Sequence, residues 1–310
     1  MKWFQINRKK RIKKQELLKL HVDGLPFRAL AMHYDISVGS AYNYCVEALE
    51  RLPQCADVTR EYCQKFSNIL LVDGKYVKVK GYDRKIPVVY GIDYTTHDIP
   101  HYILSQAENY PTCQTFFSSL NLMGYGLQAV VCDDNRNIYE ACQKVYPSAT
   151  VQLCQVHYLR NVRVLLDLDH RPEYRSFFLA VSDLFAQKRD PADFDGRARR
   201  ILRTYQQDRL CVEILLDLER KKPLLLGYLH HRGTPTTTNL IESFNSHLQG
   251  RLDSIKGFES FRHADAWLNG YFLRRRTKQF TDCSGKFRKL NGKTSLSQTQ
   301  KPGIDLPIFF

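Results

Sequence analysis

Two short apolar runs that each lead straight into a carboxylate constrain this chain more than any other feature. Ile69-Leu70-Leu71-Val72 runs into Asp73, and Leu127-Gln128-Ala129-Val130-Val131-Cys132 runs into Asp133. An uninterrupted run of this kind, too short for a helix, reads as a strand covered on both faces, as in the parallel sheets of α/β folds. Around these runs, residues 76–80 continue the first strand, 81–84 form a turn, and 87–94 and 101–107 read as further strands. Helical spacing follows over 112–123 and 135–146, the second stopped at Pro147, and 149–153 is one more strand. The expectation is a mixed sheet with crossover helices.

Before the sheet, the period is helical. Residues 13–22 place Leu17, Leu18 and Val22 on one face and stop at Asp23-Gly24. A second helix over 26–34 begins with Pro26, a favoured first-turn residue. Ser37 is a good N-cap for a third helix over 38–52, ended by Pro53. This pattern predicts a helix-turn-helix over residues 1–52, in which Ser40, Tyr42 and Asn43 on the last helix face base edges in a major groove. The basic arm Arg8-Lys9-Lys10-Arg11-Ile12-Lys13-Lys14 would follow the phosphates. A three-helix docking domain without DNA contact is the plainer alternative.

Residues 53–67 read as a helical linker and 68–157 as the first part of the sheet domain. From 158 to 233 the pattern is all helical, with helices expected over 165–168, 174–186, 198–205 and 211–218, which predicts an α-helical insertion. The sheet domain resumes over 234–273 with a helix carrying Glu242 and another over 258–273. Residues 274–310 form a basic tail of weak periodicity, expected to be disordered or to order only on DNA.

The chain of 310 residues carries 46 Lys and Arg against 32 Asp and Glu, a formal net charge of +14, which favours polyanionic partners and nucleic acid first. Its basic tracts at the N-terminus, at residues 197–203 and at Arg274-Arg275-Arg276 with Lys278 are the candidate phosphate contacts, the tail first among them. Nine cysteines, an odd number without a C-x-x-C pair, argue against a disulfide framework and suit buried apolar positions. No apolar run of about 18 residues is present, and the basic first residues do not resemble a secretory signal. A cytoplasmic, DNA-associated location is expected, or a nuclear one in a eukaryote, with no membrane partner.

Asp73, Asp133 and Glu242 are the residues that can carry chemistry together. Hydrolysis or transfer at a phosphodiester needs an activated oxygen nucleophile and a stabilised leaving oxygen. Two divalent ions about 3.5–4 Å apart, held by carboxylates, supply both. Taken singly, each acid has a plainer explanation. Asp73-Gly74 is a hairpin dipeptide, Asp133-Asp134 suits the first turn of a helix, and Glu242 alone would be a solvated helix residue. Cys154 and His157, spaced C-x-x-H, are half of a zinc pattern without an evident second pair.

Four segments carry a family resemblance: Val72-Asp73-Gly74, Val131-Cys132-Asp133, Gln152-Leu153-Cys154-Gln155-Val156-His157-Tyr158-Leu159-Arg160-Asn161, and Thr238-Asn239-Leu240-Ile241-Glu242-Ser243-Phe244-Asn245. In order and spacing they resemble the Mutator-like superfamily of DDE transposases, which includes bacterial and archaeal insertion-sequence enzymes. The second aspartate lies 60 residues beyond the first and Glu242 lies 109 beyond the second. The resemblance implies a ribonuclease H-like fold interrupted by the helical insertion. It also implies Mg²⁺-dependent cleavage, with Mn²⁺ as substitute and two ions per site, at terminal inverted repeats, followed by strand transfer into target DNA. Asp73, Asp133 and Glu242 match its catalytic carboxylates; Asp134 stands where the family often has glycine and can share the ligand role. His157 is implied to lie close to the active site, with Arg160 one helical turn away in reach of phosphate. Handling two DNA ends implies a homodimer. A stand-alone ribonuclease H-like nuclease of the resolvase type, or a domesticated regulator that only binds DNA, would share some of these features.

Overall fold

The structure is a computed structural model and describes residues 13–255 and 257–310. Residues 8–12 of the basic arm lie outside the described residues. The chain divides into two compact units, the first made of Met1–Cys63, Tyr76–Ile86 and Ser246–Phe310, the second of Gln64–Lys75 and Pro87–Asn245.

The first unit opens with α1 (Lys14–Val22), α2 (Phe27–Tyr34), α3 (Val38–Glu50) and α4 (Cys55–Tyr62). Ser37 caps α3 as its sequence predicts, accepting a 2.9 Å hydrogen bond from the Ser40 amide. Asp35 closes α2 in the left-handed region at φ 53°, a conformation that Asp tolerates better than most residues. The span expected to be a helical linker contains α4, whose Cys55 amide donates to Asn269 at 2.8 Å.

The second unit contains the sheet. Its elements are most of β1 (Ile69–Val77) and of β2 (Ile86–Asp93), with β3 (Tyr102–Leu104), α5 (Tyr110–Leu122), β4 (Ala129–Cys132), α6 (Arg136–Val145) and β5 (Thr150–Leu153). The helices α7 (Gln155–Leu165), α8 (Arg175–Asp183), α9 (Pro191–Tyr205) and α10 (Arg209–Leu225) follow. The five strands are ordered β3-β2-β1-β4-β5. β4 pairs parallel with both β1 and β5, while β2 and β3 are antiparallel, so the sheet is mixed as expected. All of β2 and β4 is buried, which explains the unbroken apolar sequence of β4. Leu70, Val130, Phe116, Phe117 and Ile138 belong to the core that α5 and α6 complete.

The helical stretch after β5 begins earlier than its sequence suggests. α7 starts at Gln155, and the helix expected over 165–168 is a turn, because α7 ends at Leu165 and Asp167 takes φ 49°. The return from α10 is fastened to β5 by buried amides: Gln152 Nε2 donates to the Leu225 carbonyl at 2.8 Å and Gln152 Oε1 accepts from the Tyr228 amide at 2.8 Å. Gln155 Nε2 reaches the same Leu225 carbonyl at 2.9 Å.

The chain ends with α11 (Asn239–Ile255), α12 (Phe261–Thr277) and α13 (Ser295–Thr299). Ser246–Phe310 belongs to the first unit. The tail differs from the expectation of disorder: it forms a 3-10 turn over Gly285–Leu290 and α13, and buries Phe280, Leu290, Leu296 and Phe309. These apolar residues are too widely spaced to register as a helical or strand period, but each fills the interior of its unit. Arg276, expected to face DNA, is also interior at 0% exposure and donates to Thr59 Oγ1 at 2.9 Å and the Cys55 carbonyl at 3.2 Å.

Gly227 follows the end of α10, and a Cβ there would sit 2.2 Å from the Val151 carbonyl oxygen in β5. Backbone cannot move aside cheaply, so Gly227→Ala is predicted to cost about 2 kcal/mol or more, at or beyond ordinary overpacking. Urea unfolding measures it, and an unchanged midpoint would contradict the close approach.

Candidate active site

Strand register brings the site residues together. Leu71 pairs with Val131, and Val131 with Gln152. Carried on by two residues, that register sets Asp73 beside Asp133 and Asp133 beside Cys154 on three adjacent parallel strands. The Cys154 amide donates to the Cys132 carbonyl at 2.7 Å, so the β4–β5 ladder does extend to this level.

The two aspartates are held differently. Asp73 accepts from the Gly74 amide at 2.8 Å through one oxygen and from Asn245 Nδ2 at 2.6 Å through the other. Asn245 is fixed by Tyr90, whose hydroxyl donates to Asn245 Oδ1 at 2.9 Å. Asp133 Oδ1 is buried and has no hydrogen-bond partner. A buried carboxylate oxygen in that condition costs free energy unless a cation or a proton meets it. Burial first, and then the neighbouring Asp133 and Glu108, push the Asp73 carboxyl up to about 6, against lowering by the Gly74 amide and His157. Asp133 is raised as well, mainly by burial, with His157 opposing.

Glu242 reaches the same end of the sheet through the segment before α11. The Gln155 amide donates to the Thr236 carbonyl at 2.9 Å, and the Thr238 amide donates to Cys154 Sγ at 3.4 Å. The Thr238 hydroxyl lies 3.0 Å from Glu242 Oε1, 3.2 Å from Cys154 Sγ and 3.4 Å from His157 Nδ1. His157 Nε2 is 3.6 Å from Glu242 Oε1, and Arg160 is 3.9 Å from the other carboxylate oxygen. Burial would push the Cys154 thiol up, but hydrogen bonds from His157 and Thr238 outweigh it and hold it below its ordinary value. The bond to Cys154, ahead of the opposing burial, raises His157, so both shifts favour a thiolate–imidazolium pair. A hydroxyl has one proton to give, and a protonated His157 makes its contact with Thr238 one that the hydroxyl accepts.

Cys154, His157 and Glu242 bring their ligand atoms within 4.8 Å of one another. Thus the C-x-x-H half-site finds its third donor in Glu242 instead of a second Cys/His pair. Of the three expected carboxylates, Asp73 and Asp133 are adjacent by register, while Glu242 is engaged by Thr238, His157 and Arg160. Asp134 is engaged elsewhere: Lys221 pairs with it at 2.5 Å and with Asp217 at 3.0 Å.

Three contributors are not among the acids that the sequence pattern singles out. Glu108, just before α5, accepts from Asn135 at 2.7 Å, and a Cβ on Gly74 would lie 2.5 Å from its Oε2. Asn245 and Thr238 stand in the segment that carries Glu242, but a pattern of acids does not mark an amide or a hydroxyl. Asp93 also ends a strand, yet it is no candidate. It is wholly buried and saturated by Ser67, Thr96 and Tyr125.

The expected DNA-contact residues are dispersed. On α3, Asn43 is exposed, Ser40 half-buried and hydrogen-bonded to Ser37 at 2.9 Å, and Tyr42 packed edge-on against Phe27 and His263. Arg160 is largely exposed, whereas Arg274 is bound to Asp23 at 2.6 Å. Eight of the nine cysteines are buried, none forms a disulfide, and among the described residues no helix is long and apolar enough to cross a membrane.

Comparison with known proteins gives a consistent picture. The profile described as "Transposase, Mutator family" matches residues 6–264. The transposases for insertion sequence element IS256 in transposon Tn4001 of Staphylococcus aureus and Enterococcus faecalis are each 24% identical over 216 residues, covering 66% of this chain and 54% of theirs. The chain therefore spans about half the length of these curated relatives. In fold it is similar to the Drosophila P element transposase in its strand transfer complex, with a TM-score of 0.52 and 13% identity over 88% of this chain and 95% of that one.

The Asp73 carboxyl keeps its proton to higher pH in the folded chain than in the unfolded one, so ionising it disfavours the fold. The metal-free protein should lose stability as pH rises from 3.8 to about 6 through this group. Asp73→Asn should remove that loss, gaining on the wild type as pH rises through the window. Parallel urea titrations across it would overturn the assignment if the two proteins kept a constant difference.

Proposed function

Because the chain belongs to the Mutator family of transposases, we propose that it cleaves DNA at the ends of a mobile element and transfers the cut strand into a target. The observation that carries this reading is the register that sets Asp73 beside Asp133, with one Asp133 oxygen buried and unpartnered. Strand order β3-β2-β1-β4-β5, with β1, β4 and β5 parallel, supports reading the sheet as ribonuclease H-like and residues 158–233 as its helical insertion.

The donor set fits hard divalent cations. Asp73 and Asp133 are oxygen donors whose raised carboxyl values reflect negative charge that burial leaves poorly compensated, and a cation would relieve both. Mg²⁺, with Mn²⁺ as substitute, would be held by Asp73 and Asp133, with Glu242 serving a second ion. Bound there, such ions supply the charge that activates an oxygen nucleophile and stabilises the leaving oxygen. The chain's own residues do the rest. Asn245 and the Gly74 amide fix the Asp73 carboxylate, and Thr238 aims Glu242 from the start of α11. His157, whose proton affinity Cys154 raises, stands next to Glu242, and Arg160 offers a positive donor for a scissile or flanking phosphate. The Lys221 pair engages Asp134, which favours Asp133 as the ligand.

The N-terminal helices are proposed to bind terminal inverted repeats through Asn43 and Ser40, with double-stranded DNA as partner and a homodimer joining two ends. Strand-transfer products separate this reading from that of a stand-alone nuclease.

Asp73→Asn, Asp133→Asn and Glu242→Gln are each expected to reduce Mg²⁺- or Mn²⁺-dependent cleavage and joining of end-bearing duplexes to background, with DNA binding largely retained. Oligonucleotide cleavage and strand-transfer assays check this. Three variants that still cut and join would refute the proposal.

A further inference from the structure

Within the first unit, a cavity of about 220 Å³ is lined by basic side chains that the carboxylate site does not use. α11 supplies His247 and Arg251, one helical turn apart on one face, and the end of α12 supplies Arg274, Arg275 and Lys278. Its acids are Asp23 and Asp282, so the formal balance is positive before His247 is counted.

Asp23 is already committed. Arg274 holds both its oxygens, at 3.1 and 2.6 Å, and Lys278 stands 3.8 Å from it. Arg251 has no carboxylate partner among the described residues. Its guanidinium lies against Gly24, where a Cβ would meet Nη1 at 2.3 Å, and that glycine at φ 118° holds a conformation few other residues adopt. The backbone at the end of α1 therefore leaves room for the Arg251 head group beside the cavity. Burial and then Arg275, ahead of Arg251 and Lys278, hold His247 below its ordinary value against the opposing pull of Asp282, as crowded cations should. The helix macrodipole accounts for basic residues in the last turn of α12. It does not account for Arg251 and His247, which come from another helix.

We infer that this cavity is a seat for a backbone phosphate of duplex DNA, bound by Arg251 and Lys278 with His247 and Arg275 at its walls. A phosphodiester carries one negative charge and several acceptor oxygens, matching a pocket of donors whose acids leave a positive excess. Its hydrogen bonds carry no base identity, so the pocket anchors DNA without reading sequence. The inference rests on the transposase reading, since it takes DNA as the ligand. It narrows the basic run expected over Arg274-Arg275-Arg276 and Lys278 to a pocket that adds His247 and Arg251 from a second helix and excludes Arg276.

Fluorescence anisotropy of the full chain with a short labelled duplex, across a salt series, tests it. Arg251→Gln combined with Lys278→Gln should weaken binding about tenfold near 0.1 M salt and reduce the slope of log K against log salt by about 1 to 2. Arg251→Lys should retain most of the affinity, and thermal melting should be unchanged in both proteins. Should the double variant fail to fold, Lys278→Gln alone, at an exposed position, should still lower the slope by about 1. Wild-type protein that binds no duplex would count against the transposase reading itself. Wild-type binding with folded variants of unchanged affinity and slope would overturn the pocket alone.

Discussion

The parallel register of β1, β4 and β5 is the constraint on which the proposed active site depends. It sets Asp73 and Asp133 at one level of neighbouring strands and Cys154 at the same level of the next. Side chains alternate along a strand, so a slip of one residue would turn these groups to the opposite face. The buried apolar residues that precede them prevent that slip: Leu70, Leu71, Val130 and Val131 are fully covered and would have to exchange faces together. The same residues that stabilise the sheet thus fix where its carboxylates stand.

Second in importance is the fastening of Glu242 to that level. Thr238 contacts Cys154 through both its amide and its hydroxyl, and the hydroxyl also reaches Glu242 and His157. Cys154 and His157 thus stand hydrogen-bonded to each other beside an acid, each shifting the other toward its charged form. The Gln152 amide fixes the return from α10 to β5, so the long helical stretch ends at the sheet and not at a variable distance from it. This explains how a glutamate far along the chain can serve a site built on β1 and β4.

Much of this arrangement is legible in the sequence because the relevant signals are short and local. Unbroken apolar runs announce β1 and β4, Ser37 announces the start of α3, and a carboxylate after each run announces the site. Tertiary features are less visible. The turn at Asp167 depends on a left-handed residue that the helical pattern does not exclude. The tail looks polar, yet Phe280, Leu290, Leu296 and Phe309 anchor it singly. Arg276 reads as one of three exposed arginines, and only the positions of Cys55, Thr59 and Cys63 show that it is interior. Glu108 and Asn245 join the site through folding alone, since neither occupies a position that a pattern of strand-end acids would mark.

Asp73 and Asp133 are proposed to act as one cation site. Electron paramagnetic resonance of Mn²⁺ titrated into the DNA-free protein tests it directly. A saturable bound-Mn²⁺ signal is expected, removed by either Asp73→Asn or Asp133→Asn and left in place by Asp134→Asn. A bound signal unchanged by Asp133→Asn, or removed only by Asp134→Asn, would contradict it.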